Sequence, residues 1–415
     1  MKINRPFWLM PAVAMLCSTA PSWSQTVDTT QMKSGEKLTE ETFKINASET
    51  LMTDSNLFRL SDSADLNALV GKSSAAEKIN ITTLGLSINK AYSLQRFELD
   101  LNLIDYRYQN FSYLSFTAKN YNAAWRWSLT PRLTGNLTTD RKETLNSFTD
   151  VQSFNQRNQR TNTKTRFDGA YELDGAWAVL GGVEQSAQTN EETLVAEGDY
   201  KANSADVGLR YTFASGSALT YTLKNSSGTY VNRAMSPANL LDDGYDQLDN
   251  ELKLHWLVSG KSTADLTTAY INRTHPHFGE RDYSGFTAGA KINWSMTAKT
   301  ALSAGWLREL ASYQTSSANY SQTDSFSIGP TWQISPKTTV SLRYQVAQRD
   351  YKGTPTAVIA PQRSETLTDT TLSFDWQPYR YLSLSTSLGK AKRTANLPGL
   401  DYDSNMVNVS AKFSF

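Results

Sequence analysis

The chain has 415 residues, with 41 Lys and Arg against 40 Asp and Glu, and 39% of its residues are hydrophobic. This neutral balance argues against a nucleic-acid-binding protein, which would carry a basic excess. After residue 24 no stretch of about 18 apolar residues occurs, so the sequence predicts no membrane-spanning helix. Only helices and closed barrels satisfy their backbone hydrogen bonds in lipid, which leaves a soluble protein or a β-barrel.

Residues 1–24 have the pattern of a secretory signal peptide. Lys2 and Arg5 supply the positive start, and a run of about ten apolar residues follows, too short to span a bilayer. Ser22 and Ser24 are the small residues that a cleavage site requires. The sequence therefore predicts export, with cleavage after residue 24.

The only cysteine, Cys17, raises the alternative of a lipoprotein signal. Leu16 stands immediately before it, where that signal requires a small residue, so the ordinary signal peptide is preferred. Residues 25–42 are polar and are predicted to form a short periplasmic lead-in, followed by a barrel over 43–415.

Alternation with a period of two dominates the rest of the chain. Apolar Phe97, Leu99, Leu101 and Leu103 are separated by Glu98, Asp100 and Asn102. The same pattern recurs over 121–129, 163–173 and 286–296. Successive side chains of a strand point to opposite faces, so each segment is predicted to be a strand with one apolar and one polar face.

Short and long connections take turns between these segments. The short ones are 90–94, 130–131, 174–176, 214–217, 259–261, 297–299, 335–337 and 377–380. The long, polar ones are 52–76, 109–118, 141–161, 190–202, 229–247, 273–282, 311–322, 351–363 and 392–402. This rhythm predicts an all-β fold, a transmembrane antiparallel up-and-down β-barrel of about 18 strands (16 is the alternative count), with short periplasmic turns and long outer loops.

Tryptophan placement and the last strand support a barrel in the outer membrane. Seven tryptophans fall near short turns and are predicted to form a periplasmic aromatic girdle: Trp125, Trp127, Trp177, Trp256, Trp294, Trp332 and Trp376. The alternating last strand ends in Phe413 and Phe415, the form of an assembly signal. Outer-membrane lipid and the barrel-assembly machinery are thus predicted partners. A secreted β-sandwich or solenoid is the alternative, and no repeat of 20–50 residues supports the solenoid.

A barrel of this size encloses a polar lumen unless loops plug it. The candidate lumen-lining residues are Glu98, Asp100, Arg126, Lys164, Arg166, Asp168, Glu172, Arg210, Lys253, His255, Lys291, Arg343 and Lys412. Basic residues predominate among them, which favours anionic solutes. The alternative is that these charges only hydrate and brace the lumen. A long loop over 141–161, with Arg141, Lys142, Arg157 and Arg160, could fold inward and constrict the pore.

Aromatic residues near the outer loops suggest either a carbohydrate track or an outer aromatic girdle. They are Tyr106, Tyr108, Phe111, Tyr113, Phe116, Tyr313, Tyr320 and Tyr351. Two weaker patterns lie in neighbouring loops. His275 and His277, near Glu280 and Asp282, could act in acid–base chemistry. Asp242, Asp243, Asp246 and Asp249 could bind Ca²⁺, but their spacing does not match an EF-hand. No catalytic residue, metal or cofactor is predicted from either pattern.

One short motif carries a family resemblance. The segment 53–60 reads Thr-Asp-Ser-Asn-Leu-Phe-Arg-Leu, and from Asp54 it resembles the Asp-x-Asn-Leu-Phe-Arg start of the EpsL β-barrel porins. Those proteins are encoded with exopolysaccharide gene clusters, often beside the exosortase/PEP-CTERM sorting system. The resemblance implies a role in exopolysaccharide passage across the outer membrane and brings no catalytic residues. Read physically, Asp54 and Asn56 would bend the chain, while Leu57, Phe58 and Leu60 would anchor the first loop.

Three functional hypotheses follow from the sequence. The first is an outer-membrane porin-like barrel for exopolysaccharide export, with polysaccharide and periplasmic export components as partners and with no enzymatic activity. The second is a general diffusion porin for small anions or oligosaccharides. The third is a barrel enzyme that uses His275 and His277. Nucleic acid is not expected to be a partner.

Overall fold

The computed structural model describes residues 42–148, 156–191, 198–238, 240–312, 318–353 and 362–415. The predicted signal peptide 1–24, and all of the predicted lead-in 25–42 except Thr42, lie outside the described residues. The strands, β1 to β18 in order, are Phe43–Asp54, Glu77–Tyr92, Gln95–Tyr108, Phe116–Thr130, Leu133–Leu145, Gln159–Glu172, Trp177–Asn190, Tyr200–Thr212, Ala218–Tyr230, Gly244–Ser259, Ser262–Thr274, Tyr283–Ser295, Thr300–Ser312, Tyr320–Ser335, Thr338–Lys352, Ser364–Tyr379, Leu382–Ala395 and Tyr402–Ser414.

The strands form one closed antiparallel sheet. Each strand pairs with the next along the chain, and β1 pairs with β18 from Asn46 opposite Ser414 to Asp54 opposite Met406. A sheet closed in this way has no free edge. The predicted up-and-down barrel is confirmed, with 18 strands and not the alternative 16.

The predicted alternation of connections is also confirmed. Short turns occupy 93–94, 131–132, 173–176, 213–217, 260–261, 296–299, 336–337 and 380–381. Loops 1 to 9 occupy 55–76, 109–115, 146–158, 191–199, 231–243, 275–282, 313–319, 353–363 and 396–401. Hydrogen bonds between neighbouring residues stabilise these turns. In the turn at 173–176, the Asp174 side chain accepts hydrogen bonds from the backbone N–H groups of Ala176 and Trp177.

Helical structure in the described residues is confined to loops. Loop 1 contains α1, Leu66–Val70, whose first turn is capped by the Asp65 side chain and which ends at Gly71 with φ of 68°. Single 3₁₀ turns lie in loop 2, Ser112–Leu114, and in loop 6, Gly279–Arg281. None of the described helices has the length and apolar character needed to cross a bilayer.

Exposed apolar side chains define the outer face of the barrel. Phe97 and Trp125 lie opposite each other on β3 and β4 and their rings stack, with both residues exposed. Six of the seven girdle tryptophans are exposed on this face, at the turn end of their strands: Trp125, Trp177, Trp256, Trp294, Trp332 and Trp376. Membrane lipid favours this arrangement because the indole ring is amphipathic.

Trp127 differs from the other girdle tryptophans because it is only 8% exposed. Its ring lies across Gly135 and Gly169 on the next two strands and stacks on Phe167 at 5.6 Å between centroids. A Cβ atom at Gly135 would lie 2.3 Å from this ring, so the glycine makes the space that the tryptophan fills. Trp127 therefore packs against the barrel wall, on the same outer face as Trp125, and its membership of the girdle stays a prediction.

Candidate functional site in the lumen

The lumen face is the face opposite the exposed apolar residues on each strand. Strand alternation places all thirteen candidate lumen-lining residues on this face: Glu98, Asp100, Arg126, Lys164, Arg166, Asp168, Glu172, Arg210, Lys253, His255, Lys291, Arg343 and Lys412. That these residues contact a passing solute stays a prediction. The charges on this face are nevertheless arranged in a definite way.

One side of the lumen carries seven residues in lateral register, five of them charged, here called the ion-paired row. Its members on β4 to β10 are Arg126, Asn136, Asp168, Gly182, Asp206, Lys224 and Asp249. Arg166 reaches Asp206 across Gly182, with nitrogen–oxygen distances of 2.6 and 3.0 Å. A Cβ atom at Gly182 would lie 2.5 Å from the Arg166 guanidinium, so the glycine leaves the room for this ion pair.

Most of the basic side chains along this side form ion pairs with carboxylates. Arg126 lies 2.8 Å from Glu98, and Glu184 binds both Lys164 at 2.8 Å and Lys224 at 3.2 Å. Lys253 pairs with Glu251 and His255 with Asp265, at 2.7 and 2.6 Å. The predominance of basic residues in the sequence-derived set was therefore misleading. The set omitted the carboxylate partners Glu184, Asp206, Glu251 and Asp265, whose role depends on pairing between strands.

The other side of the lumen carries small polar side chains. The hydroxyl row, on β14 to β18, consists of Thr331, Ser341, Ser373, Ser387 and Asn408, each opposite the next. Asn408 donates a hydrogen bond to the Ser387 hydroxyl at 3.0 Å. Further round, Ser410 receives a hydrogen bond from Thr50 of β1 at 2.8 Å. The lumen thus has two unlike sides, one ion-paired and one rich in hydroxyl groups.

At the loop end, a hydrophobic core lies on the lumen side of β1 to β4 and reaches the end of β5 at Leu145. This lumenal core joins strand residues to loops 1 to 3: Met52, Leu57, Phe58, Leu60, Ala75, Ile79, Tyr108, Phe111, Leu114, Phe116, Ala118 and Leu145. Phe58 is completely buried, and its ring centroid lies 4.6 Å from that of Phe111 and 4.7 Å from that of Phe148. Loops therefore occupy the outer mouth on this side, and a solute must pass beside them.

The motif at 54–60 fastens loop 1 to the seam between β1 and β18. The buried Asp54 carboxylate lies 2.8 Å from the Arg59 guanidinium group. It accepts hydrogen bonds from the backbone N–H of Asn56 at 2.9 Å and from the Ser404 hydroxyl at 2.6 Å. Asn56 donates to the carbonyl groups of Leu60 and Asp403. The expected bend at Asp54 and Asn56 and the expected anchoring by Leu57, Phe58 and Leu60 are both present.

Two expectations for the outer loops are corrected by the structure. Tyr108, Phe111 and Phe116 belong to the lumenal core, so they are not part of an outer girdle. Of the other aromatic residues predicted near the outer loops, Tyr106 packs against the core and Tyr113 is partly exposed beside it. Tyr320 stacks on Tyr283, and Tyr351 is buried. Tyr313 lies outside the described residues. The lumenal core leaves these rings little exposed face for a carbohydrate track.

The predicted constricting loop over 141–161 begins and ends in strand, with 141–145 in β5 and 159–161 in β6. Arg141 lies on the outer face of β5 and Lys142 on the lumen face, while Arg160 lies on the lumen face of β6. Arg157, in loop 3, donates to the Ser115 carbonyl at 2.8 Å and pairs with Glu191, which ties loops 2, 3 and 4 together. Residues 149–155 of this loop lie outside the described residues. Loop 1, not the 141–161 segment, contributes most of the loop residues in the lumenal core.

At the rim, Asp242 and His277 tie loop 5 to loop 6, while His275 makes a contact within loop 6. Asp242 is fully buried and accepts hydrogen bonds from the backbone N–H of His277 at 2.8 Å and of Phe278 at 3.1 Å. His275 pairs separately with Asp282 at 3.2 Å. The four aspartates do not form the suggested calcium loop, because Asp249 faces the lumen and binds Gln247.

Asp242, Asp243 and His277 offer three ligand atoms within 4.8 Å of one another, a spacing that a cation could use. The Asp242 oxygens, however, already accept the two amides and the His277 imidazole, so these residues are explained as a loop tie. Burial alone would raise the pKa of Asp242, but the hydrogen bonds from His277 and Phe278 lower it to about 2. The hydrogen bond with Asp242 raises the pKa of His277 above its ordinary value.

These pKa shifts predict that the tie between loops 5 and 6 depends on pH. A raised His277 pKa stabilises the tie fully below about 6.5, and this contribution is lost as pH rises through the raised value. A lowered Asp242 pKa stabilises it above about 3.8, and this is lost as pH falls toward about 2. We expect the His277 and Phe278 amides to be best protected from hydrogen exchange between about pH 4 and 6.5, after correction for intrinsic exchange.

The variant His277→Gln provides the control for that experiment, since it keeps the backbone amide and removes the titrating ring. Its protection should not change between pH 5 and pH 9. If the unsubstituted protein shows the same protection factor at both pH values, the electrostatic part of the tie is refuted.

The fold and the lumen together define a porin-like outer-membrane β-barrel. Residues 257–415, less than half of the chain, match the family described as "Putative beta-barrel porin 2". No curated protein matches the chain significantly in sequence. Solved structures of outer-membrane proteins are similar to it in fold.

Three of these structures illustrate the likeness. OccK1 (OpdK) of Pseudomonas aeruginosa has a TM-score of 0.51 and 12% identity, over 90% of this chain and 99% of that one. OccK2 (OpdF) of the same organism has a TM-score of 0.51 and 13% identity, over 90% and 98%. A BenF-like porin from Pseudomonas fluorescens Pf-5 has a TM-score of 0.51 and 12% identity, over 90% and 99%. At these identities the likeness establishes the fold alone.

Proposed function

We propose that this protein is an outer-membrane porin for a polar, hydroxyl-rich solute, and that the solute is an exopolysaccharide on its way out of the cell. The hydroxyl row is the observation that carries this proposal. Five small polar side chains in lateral register offer hydroxyl and amide groups that both donate and accept hydrogen bonds. Such a surface exchanges hydrogen bonds with a polyol at little cost, because no group is left unpaired when the solute moves on.

The motif at 54–60 supports the same proposal. Its resemblance to the EpsL porins implies a role beside exopolysaccharide synthesis, and its contacts position loop 1 at the outer mouth. Asp54 and Arg59 hold loop 1 so that Phe58 fills the lumenal core, which restricts the mouth. A restricted mouth suits a particular solute better than unselective diffusion. Polysaccharide and periplasmic export components are the partners that this function requires.

The first test compares secreted and cell-retained exopolysaccharide in a deletion strain. We expect less secreted polymer and more retained polymer, with recovery when the intact gene is restored. The structure sharpens the test with the double substitution Ser341→Phe and Ser373→Phe, which puts two rings into the hydroxyl row. Leu342→Phe is the matched control because Leu342 is exposed on the outer face of the same strand. Unchanged secretion in both the deletion strain and the lumenal variant would refute export.

The second candidate function is a general diffusion porin. The ion-paired row favours it, because its mostly compensated charges hydrate a passage without binding one solute strongly. Planar-bilayer recordings decide between the two candidates. A diffusion porin conducts small ions steadily and its loss leaves polymer secretion unchanged. The enzyme hypothesis is not pursued, since His275 and His277 are explained as parts of loop ties.

A further inference from the structure

Arg273, on the lumen face of β11, has an unusual setting. Gln247 of β10 and Tyr283 of β12 lie directly opposite it on either side. Its guanidinium carbon lies 3.9 Å from the centroid of the Tyr245 ring and 5.7 Å from that of Tyr283. Stacking at this distance fixes the plane of the guanidinium group.

The tyrosine under Arg273 is itself held in place. Tyr245 is buried and lies over Gly228 of β9, where a Cβ atom would come within 2.3 Å of the ring. Tyr230 packs beside it, with 5.9 Å between ring centroids. The strands therefore build a rigid aromatic support below a half-buried, lumen-facing arginine.

Among the residues that the structure describes, Arg273 forms no ion pair, in contrast with Arg126, Arg166 and the bases around Glu184. Its Nε donates to the Gln247 side-chain oxygen at 2.8 Å. The Gln247 amide nitrogen in turn lies 2.8 and 3.0 Å from the two oxygens of Asp249, a carboxylate on the lumen face. Gln247 thus stands between the arginine and Asp249, and the two terminal nitrogens of Arg273 make no hydrogen bond to a described residue.

We propose that Arg273 is a binding site for a carboxylate group carried by a solute in the lumen, such as an acidic sugar. A guanidinium group held in one plane, with its terminal nitrogens free, matches the two oxygens of a carboxylate in a bidentate pair. Tyr245 holds the arginine in place and Gln247 keeps Asp249 from neutralising it. This inference deepens the proposed function, because it implies that the transported chain contains acidic sugar units.

The test uses the purified full-length barrel in detergent, with glucuronate as probe and glucose as its neutral counterpart. We expect isothermal titration calorimetry to detect glucuronate binding and much weaker glucose binding. Arg273→Met keeps the apolar stem over Tyr245 and removes the charge. It should weaken glucuronate binding by roughly tenfold to a hundredfold, the range of a charge-assisted hydrogen bond. Arg273→Lys keeps the charge but loses the planar guanidinium group that can make two parallel hydrogen bonds, and it should weaken binding several-fold.

Arg308→Met is the matched control, since Arg308 lies on the outer face and pairs with Asp324 at 2.7 Å. It should bind glucuronate as the unsubstituted protein does. Equal binding of glucuronate and glucose by the unsubstituted protein, or undiminished glucuronate binding by both Arg273 variants, would overturn the proposal. Binding in detergent is independent of transport. A barrel that binds glucuronate but is dispensable for polymer secretion would therefore refute export and leave the site standing.

Discussion

Asp54→Ala should lower the stability of the barrel by about 3–5 kcal/mol, the typical cost of removing one partner of a buried ion pair. Asp54 is fully buried at the end of β1 and accepts hydrogen bonds from the Asn56 amide and from Ser404 of β18. Its removal leaves the Arg59 charge without its carboxylate partner and removes the hydrogen bond with Ser404 that crosses the closing seam. Urea unfolding in lipid vesicles measures the loss. The temperature at which the folded band disappears from SDS gels should fall as well.

Asp62→Ala is the matched control, because Asp62 is an exposed carboxylate in the same loop. It should change stability by less than about 0.5 kcal/mol, as surface substitutions usually do. The pair Asp54→Ala with Arg59→Met should cost less than Asp54→Ala alone, since no charge is then left unpaired. If Asp54→Ala and Asp62→Ala unfold alike, the seam contacts contribute nothing measurable and the interpretation of the motif is wrong.

Phe58→Ala should open the outer mouth. Phe58 is completely buried between Phe111 of loop 2 and Phe148 of loop 3, and truncating a buried phenylalanine typically costs about 3–5 kcal/mol. Here the lost stability should weaken the packing of loop 1 and not the barrel, because the barrel strands keep their own backbone hydrogen bonds. We therefore expect a larger single-channel conductance and faster proteolysis of loop 1, while the barrel remains folded.

Leu69→Ala controls for a general effect of apolar truncation in loop 1, because Leu69 is 37% exposed on α1. Its conductance should match that of the unsubstituted protein. An unchanged conductance for Phe58→Ala would mean that the lumenal core does not limit passage. The restriction would then have to be sought at the ion-paired row.

The sequence was sufficient for the barrel itself because strand signals are local. Alternation such as that of Phe97 to Leu103, and turn chemistry such as that of Asp174, depend on neighbours a few residues away. They predicted the strands, the turns and the outward tryptophans without knowledge of which strand pairs with which. The resemblance of the motif at 54–60 also directed attention to the right loop.

The candidate site was less predictable because it depends on contacts between distant parts of the chain. Arg166 meets Asp206 from two strands away, through a gap that exists because Gly182 has no side chain. The burial of Trp127 likewise depends on Gly135 and Gly169 on the next two strands. Arg273 was not singled out because nothing in its local sequence shows that Tyr245 lies beneath it. Glycines within strands, facing an aromatic or arginine residue, were the available signal.

The contacts of loop 1 also link the seating of this loop to the closing seam of the barrel. The motif at 54–60 contacts Tyr402, Asp403 and Ser404 of β18 through the Ser404 hydroxyl, the backbone of Asp403 and the Tyr402 ring. A substitution that loosens the pairing of β1 with β18 should therefore also loosen loop 1 and, through Phe58, the packing at the outer mouth.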